Sequence, residues 1–273
     1  MITALVNKLT NSKSIAFGIG LLFCLLFIQD SFAQSPDSLV YATSDNKVFK
    51  KFRQFFYRYQ IFKDKDTLIC KVYNNREVLV PYDLKWKLDK RKKPAEEAEY
   101  TPIYQIALSV SEGSFLRQQS LVRYDYINRG IRSLDSEQTG VIEIGKRVVL
   151  NPPRQSFFKI LEFSPSPQVG DSLKVGFEWN DRQVLTEDAK MPSLAEWTGE
   201  LTKDLSYKIT RSEYIHTNIG TVFCYIIAGT CISSLGETKL IAHYNEDFGF
   251  IKMDFFNVDG SRILFEINNV KQK

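Results

Sequence analysis

Histidine is almost absent from this sequence, whose 273 residues include only His216 and His243. There is no HExxH pair, no cysteine–histidine cluster with zinc spacing, no G-x-S-x-G turn, no P-loop and no dinucleotide-binding fingerprint. The common metal, nucleotide and serine-hydrolase sites therefore have no support in the sequence. We expect no metal and no cofactor, and we expect each histidine to lie at the surface or on an edge strand.

Long apolar runs are also absent after the first 33 residues, because no later run reaches 18 residues. No stable membrane span is therefore expected. The formal net charge of +4 is close to neutral for a chain of this length and gives no sign of a polyanionic partner. We expect no nucleic-acid partner. The hydrophobic fraction of 44% is ample for a folded core.

Residues 1–33 have the layout of a secretory signal peptide. Two lysines precede the apolar segment 15–28, and Ser31 and Ala33 are small residues at the positions that a signal peptidase reads. This pattern predicts cleavage between Ala33 and Gln34. The mature protein is then expected to be secreted, and either periplasmic or extracellular.

Cysteine is scarce, and three of the four cysteines follow the predicted cleavage site: Cys70, Cys224 and Cys231. Cys224 and Cys231 fall in one β-prone run, where residues seven apart face opposite sides and lie about 23 Å apart. A disulfide needs Cα atoms within about 7 Å. We predict three core cysteines, although pairing of Cys70 with either of the others stays open. Cys24 is not expected to carry a lipid because Phe23, which precedes it, is large.

The mature chain contains many short β-prone segments separated by polar, glycine or proline clusters. The predicted strands are 55–62, 67–73, 78–86, 103–110, 120–126, 140–144 and 148–150. No long, capped helical pattern occurs between residues 63 and 273. This organisation predicts a mainly β protein, built as an antiparallel curved sheet, half-barrel or sandwich with few short helices.

The chain is divided as follows. Residues 34–47 are polar and are predicted to be a flexible leader, and residues 48–271 are predicted to be a single continuous antiparallel β domain, with an alternative sub-boundary near 150–170. Aromatic residues at spacings of three and four favour a short helical turn at 46–53. The most polar segment, 85–99, has six basic residues followed by three acidic ones and is predicted to be a solvated loop.

The carboxy-terminal hairpin can be predicted in register. For the apolar faces of its two strands to reach one core, Phe255 must lie opposite Ile263, and Met253 opposite Phe265. This pairing leaves a three-residue loop, 258–260, in which Gly260 adopts a positive φ. Pairing of residue 254 with residue 265 would contradict the prediction.

A set of motifs in the second half of the chain resembles a known group of proteins. The motifs are Val149-Leu150-Asn151-Pro152-Pro153-Arg154, Phe158–Phe163, Pro165-Ser166-Pro167, Gly170, Trp179, 219–225, Tyr244, 249–252 and the closing hairpin. Over roughly residues 140–270 the chain resembles secreted Bacteroidota proteins of unknown function, in which a histidine usually stands where Asn151 stands here. It is also distantly similar to curved-sheet periplasmic lipid and lipoprotein carriers. The resemblance carries over no catalytic residues and implies a binding role.

The turn after residue 150 also has a physical interpretation. Pro152 and Pro153 cannot donate to a β-ladder, so they should end a strand and form a rigid turn. Arg154 follows this turn, and we hypothesise that it pairs with a carboxylate. With Trp179 and the two histidines, it completes the set of candidate binding or structural residues: Arg154, Trp179, His216 and His243.

Aromatic residues are the one class in surplus, with 20 phenylalanines and 13 tyrosines. They either fill the core or line a cavity for an apolar ligand. We expect a non-enzymatic envelope protein that binds an apolar small molecule or lipid, or an envelope protein. One alternative is a structural or assembly factor whose sheet edge takes up a partner strand. Another is a hydrolase of unknown type, which would need a cleft that gathers a histidine with two carboxylates.

Overall fold

A computed structural model of the protein describes residues 46–73, 86–90, 100–111, 119–128, 133–186 and 197–272. Within these ranges the chain forms fifteen strands and a 3₁₀ helix, Ser156–Phe163. The strands are β1 (Arg53–Lys63), β2 (Asp66–Tyr73), β3 (Trp86–Lys90), β4 (Tyr100–Pro102), β5 (Gln105–Val110), β6 (Ser120–Ile127), β7 (Ser133–Ile144), β8 (Arg147–Leu150), β9 (Gln168–Val169), β10 (Glu178–Leu185), β11 (Leu201–Thr217), β12 (Gly220–Ser233), β13 (Gly236–Asn245), β14 (Gly249–Phe256) and β15 (Arg262–Gln272).

All fifteen strands belong to one antiparallel sheet, which confirms the predicted fold class. The order is β10-β11-β12-β13-β14-β15-β1-β5-β6-β7-β8-β9, and β2 branches from β1 and carries β3 and β4. The sheet is open, with β9 and β10 at its two ends. From β10 to β15 each strand pairs with the next in sequence, whereas β1 lies between β15 and β5.

The predicted strands agree with the structure where apolar and polar residues alternate. Segments 55–62, 67–73, 120–126 and 148–150 lie inside β1, β2, β6 and β8, and 103–110 begins two residues before β5. The segment 140–144 is only the end of β7, whose first residues are mostly polar and partly exposed. Of the segment 78–86, only Trp86 lies among the described residues.

Two local predictions are wrong. Residues 87–90, predicted as part of the loop 85–99, instead continue a strand from Trp86, the last residue of the predicted strand 78–86, and pair with β2. Trp86 is buried, and its indole N–H donates to Asp135 Oδ2 at 3.2 Å. Residues 46–52 form bends and a turn instead of a helical turn. The carboxylate of Glu143 accepts hydrogen bonds from the backbone N–H groups of residues 47–49, at 2.7 to 2.9 Å, and so holds this bend against β7.

The hairpin of β14 and β15 has the predicted register. Met253 lies opposite Phe265, and Phe255 lies opposite Ile263. The loop is closed by a bond from Asn257 N to Ser261 O of 2.9 Å, and Gly260 has a φ of 76°. Burial of the apolar face therefore fixed the register, because a shift by one residue would have exposed it.

The core is aromatic where the 3₁₀ helix meets the sheet. Phe158 of the helix contacts the rings of Tyr59, Tyr126 and Phe265, with ring centroids 5.2 to 5.8 Å apart. Edge-to-face and offset contacts of this kind add to the stabilisation that comes from burial. These four aromatic residues pack on one another in the core.

The main-chain carbonyls of segment 151–167 are bound by polar side chains from the sheet. The hydroxyl groups of Tyr124, Thr238 and Tyr207 donate to the carbonyls of residues 151, 163 and 166 at 2.8, 2.9 and 3.1 Å. A segment without regular structure can cross a buried surface only if its carbonyls find donors. The sheet supplies those donors at fixed positions.

Lys203 is the strongest of these donors. Its side chain is buried, and its ammonium group donates to Glu162 O, Ser164 O and the side-chain oxygen of Gln183 at 2.6, 3.0 and 3.2 Å. Three acceptors match the three hydrogens of an ammonium group. Burial lowers the pKa of Lys203 from its ordinary value, against smaller opposing effects of nearby acidic groups.

Cys70, Cys224 and Cys231 are all buried free thiols, as predicted. Burial raises the pKa of Cys70 and of Cys224 to about 12, which keeps both protonated. Among the residues that the structure describes, no helix is long and apolar enough to cross a bilayer.

We predict that Lys203→Met lowers the free energy of unfolding by about 1–3 kcal/mol at neutral pH, because buried carbonyls lose their donor. The difference should also depend on pH. Since the folded-state pKa is lowered, the unfolded chain holds this proton at pH values where the folded chain releases it. Raising the pH towards 10.5 therefore increases the free energy of unfolding of the wild type relative to that of the variant.

Urea unfolding of both proteins from pH 7 to pH 10 measures this dependence. Lys208→Met is the matched control, because Lys208 lies on the same strand but is 53% exposed and pairs with Glu178. A stability difference between wild type and Lys203→Met that shrinks as the pH rises would contradict the assignment.

Candidate functional site

The hairpin of β11 and β12 extends past the strand that flanks it. β10 pairs with residues 201–208 of β11, and Ile209 makes the last two bonds on that side, with Gly176 and Phe177 at 2.8 and 3.0 Å. Residues 211–217 pair with β12 alone among the described strands. Within the described ranges, one edge of this stretch therefore has no paired strand, and we call it the open edge.

A β-bulge at Thr210 changes which side of the hairpin is buried. Before the bulge, Tyr207 and Cys231 lie on the buried side, whereas after it Cys224 and Val222 are buried instead. Cys224 and Cys231 face opposite sides of β12, as predicted. Each side of this strand is buried over a different part of its length, so both thiols are buried. Bulges commonly redirect side chains in this way.

The redirected hairpin carries three aromatic side chains on its outer side, of which Tyr214 and Phe223 are exposed and Tyr225 is partly buried. Tyr214 is 73% exposed and Phe223, directly opposite it, is 37% exposed. Their ring centroids lie 5.2 Å apart, and Phe223 contacts Tyr225 at 5.4 Å. We call these three residues the aromatic ladder. Such contiguous exposed aromatic surface is typical of interaction sites.

On its inner side, the end of the hairpin covers a cleft of about 250 Å³. Asn218 at the hairpin tip donates to the side-chain oxygen of Asn268 on β15 at 2.6 Å, which fixes the tip to the sheet. The cleft is lined by Arg58, Ile215, His216, Thr217, Asn218, His243, Ile251, Lys252, Glu266 and Ile267. Both histidines of the sequence therefore lie at one site.

The charges of the cleft are only partly paired. Lys252 forms an ion pair with Glu266 at 3.0 Å. Arg58 lies opposite Glu266 across β1 and β15, but no described carboxylate lies within 4.0 Å of its guanidinium group. The lining therefore carries two cationic side chains and one anionic one.

The imidazole of His243 is neutral and incompletely bonded. Burial lowers the pKa of His243 from its ordinary value, and the Lys252 ammonium group lowers it further. Its Nδ1 atom is buried without a hydrogen-bond partner among the described residues. The Nδ1 atom of His216 instead lies 2.7 Å from the hydroxyl oxygen of Thr221.

The cleft does not assemble the group that a hydrolase would need. Glu266 is the single carboxylate among its lining residues, and it is already paired with Lys252. Within the described ranges, no group of three or more histidine, cysteine, aspartate or glutamate side chains is arranged to hold a metal ion.

Arg154 lies outside the cleft, in a network that fixes the turn after β8. Its backbone N–H donates to Glu137 Oε1 at 2.7 Å, and its guanidinium group lies 3.4 Å from Glu162 Oε1. The hydroxyl of Tyr126 also donates to Glu137, whose pKa is raised by burial. The structure thus places Arg154 beside a carboxylate, in a structural position.

Trp179 is likewise a packing residue. Its ring stacks on that of Tyr207, with ring centroids 5.2 Å apart and an interplanar angle of 7°. It also contacts the ring of Phe177, the residue before β10, with centroids 5.7 Å apart. A Cβ atom on Gly170 would lie 2.8 Å from the Phe177 ring, so glycine is required for this packing. Trp179 and Arg154 are not brought together with the two histidines.

Sequence reasoning missed the open edge and the aromatic ladder. Tyr214 and Phe223 are visible in the sequence as aromatic residues in β-prone segments, but their exposure depends on the bulge at Thr210. The buried positions of β12 switch from even to odd numbers at residues 226 and 227, but apolar residues occupy both sets of positions, so no sequence pattern marks the switch.

No protein-family model matches the chain, and no curated protein matches it. Three solved structures are distantly similar. A candidate exported protein with a YmcC-like fold from Bacteroides fragilis has 10% identity and a TM-score of 0.36, over 82% of this chain and 97% of that one. A candidate lipoprotein from Parabacteroides distasonis has 8% identity and a TM-score of 0.37, over 86% and 100%. The hypothetical lipoprotein YmcC from Escherichia coli has 9% identity and a TM-score of 0.31, over 88% and 99%.

We predict that His243 titrates below the ordinary histidine value of 6.5 and that Lys252→Met raises its pKa, because a positive charge no longer opposes the imidazolium form. NMR titration of the histidine ring signals measures both values. Lys239→Met, at an exposed position on the same strand, is the control and should leave the pKa of His243 unchanged. A pKa at or above 6.5 in the wild type would overturn the assignment of a partly buried, neutral ring.

Proposed function

We propose that this is a non-enzymatic protein of the cell envelope that binds an extended segment of a protein partner along residues 211–217 of β11. The observation that carries the proposal is the open edge beside the aromatic ladder. The envelope location rests on the predicted signal peptide of residues 1–33.

The open edge is long enough for strand addition. Seven residues of a strand span about 23 Å, which offers a row of main-chain donors and acceptors to a partner. Arg211 and Glu213 form an ion pair with each other at 3.2 Å, so their charges do not repel an incoming strand.

The two ends of the sheet are less suited to strand addition. β9 consists of two residues only. β10 carries no exposed large apolar side chain among its residues. The open part of β11 therefore combines length with exposed aromatic side chains that neither end provides.

The described cavities give less support to the apolar ligand that the sequence also suggested. The cleft under the hairpin holds about 250 Å³, below the volume of about 300–1,000 Å³ that small-molecule pockets usually have, and its lining is charged. A second recess of about 360 Å³ is lined by three basic residues and an aspartate. The buried aromatic side chains pack on one another instead.

We predict that Tyr214→Ser combined with Phe223→Ser weakens binding of the partner by about tenfold or more, since exposed aromatic side chains commonly dominate interface energies. A photo-cross-linking amino acid at position 214, in cells that produce the full chain, should give an adduct with one envelope protein. The purified adduct partner then serves in a binding measurement with wild type and variant. Ile232→Ser, at a position that is 59% exposed, is the matched control.

Hydrogen exchange separates strand addition from other modes of binding. Those amides of residues 211–217 that point away from β12 should become protected in the complex, because they enter a new ladder. Unchanged exchange of these amides in a complex that has formed would refute strand addition. A lipid that co-purifies with the protein in native mass spectrometry, with no protein adduct at position 214, would favour the apolar ligand instead.

A further inference from the structure

The cleft under the hairpin borders the open edge of β11. Four consecutive residues, 215–218, line it. Side chains of neighbouring strand residues point to opposite sides: Ile215 lies opposite the buried Val222, whereas His216 shares the outer side with Tyr214. Consecutive residues can line one cleft only if it reaches their main chain. No residue of β12 is part of the lining, so the cleft reaches this main chain from the open edge.

A row of four polar side chains forms the floor of the cleft. The row crosses four strands: Arg58 lies opposite Glu266, Glu266 opposite Lys252, and Lys252 opposite His243. Residues directly opposite one another lie on the same side of a sheet. All four line the cleft. The floor therefore alternates a cation, an anion and a cation, and ends on an imidazole.

Arg58 carries the unpaired charge of this row. Lys252 and Glu266 form an ion pair at 3.0 Å. Among the described residues, no carboxylate lies within 4.0 Å of the Arg58 guanidinium group, and no hydrogen bond is made by it. A guanidinium group presents five N–H donors and binds a carboxylate in bidentate geometry. The Arg58 side chain is thus equipped to bind an anion that enters the cleft.

The other acidic groups near the cleft have partners of their own. Glu213, on the inner side of the hairpin, pairs with Arg211 at 3.2 Å. Asp254, further along β14, pairs with Arg262 at 2.6 Å. Each pair adds no net charge. Apart from its two histidines, the lining has two cationic side chains and one anionic one, so an excess of one positive charge remains, on Arg58.

We infer, on the basis of the strand addition proposed above, that the partner segment carries an acidic side chain that pairs with Arg58. In an added strand, a side chain opposite Ile215 or Thr217 points to the inner side, into the cleft. The side chain opposite Tyr214 points outward, to the aromatic ladder. The acidic residue therefore stands an odd number of positions away from the residue beside Tyr214. A volume of about 250 Å³ has room for one such side chain.

Selection from a phage-displayed library of random nonapeptides tests this spacing. The bait is the protein purified after export. Peptides enriched on the wild type should carry aspartate or glutamate at an odd number of positions from an aromatic or large apolar residue. Peptides enriched on Arg58→Glu should carry lysine or arginine there instead, because the charge of the floor is reversed.

The affinity of one enriched peptide, synthesised with glutamate and with glutamine at the acidic position, measures the contact. The wild type should bind the glutamate form about three- to tenfold more tightly at low salt, and this ratio should fall as salt rises. Arg58→Ser should bring the ratio close to one. Glu266→Gln should raise it, because the substitution removes the single carboxylate of the lining. A merely structural role of either residue would not produce changes of opposite sign.

Arg182→Ser is the matched control. It removes one arginine charge from β10, where the Arg182 side chain is 71% exposed and pairs with Asp204, outside the cleft. The ratio should stay at the wild-type value in this variant. Thermal unfolding of every variant establishes that it is folded.

The outcomes separate the acidic contact from strand addition itself. A ratio near one in the wild type, an unchanged ratio in Arg58→Ser, or acidic residues at no fixed spacing would overturn the acidic contact and leave strand addition in place. Selection of no peptide by the wild type, or of the same peptides by the variant with Tyr214→Ser and Phe223→Ser, would contradict strand addition, and the acidic contact would fall with it.

Discussion

The binding of main-chain carbonyls by buried side chains of the sheet is the interaction on which the rest of the structure depends. The segment 151–167 crosses the face of the sheet as a turn, a short 3₁₀ helix and an extended stretch, so its carbonyls cannot all be satisfied within the segment. Tyr124, Lys203, Tyr207 and Thr238 supply the missing donors from β6, β11 and β13. Phe158 belongs to the same segment, so its packing on Tyr59 and Phe265 in the aromatic core depends on these hydrogen bonds.

How much of this could be predicted follows from the physical origin of each feature. The register of β14 and β15 was predictable because alternation puts Met253, Phe255, Ile263 and Phe265 on one side, and burial leaves one solution. The three buried thiols followed from their apolar neighbours. The turn at 46–52 was not predictable, because it is held by Glu143, whose carboxylate comes from a strand more than ninety residues later. A local aromatic spacing carries no information about such a partner.

The candidate site was harder still to find from sequence. His216 and His243 could be identified as rare residues, but their meeting in one cleft requires the end of the β11–β12 hairpin to reach β15, where Asn218 meets Asn268. That course follows from the bulge at Thr210, a one-residue change in register that local composition does not reveal. Arg154 and Trp179, by contrast, stand out in the sequence for reasons of packing. A distinctive motif can therefore mark a segment that is constrained by packing and not a segment that binds a ligand.

The position of β1 has a consequence for the order in which the protein is completed. β1 is the first of the described strands, yet it pairs with β15, the last of them, along almost its whole length. A chain that is translocated amino terminus first must keep the apolar side of β1 from making wrong contacts until its final residues emerge. Truncation anywhere before β15 leaves β1 without one neighbour, so the truncated chain has an unpaired edge at β1 that β15 otherwise covers. In this topology, β1 has both of its neighbours only after β15 has been made and has paired with it.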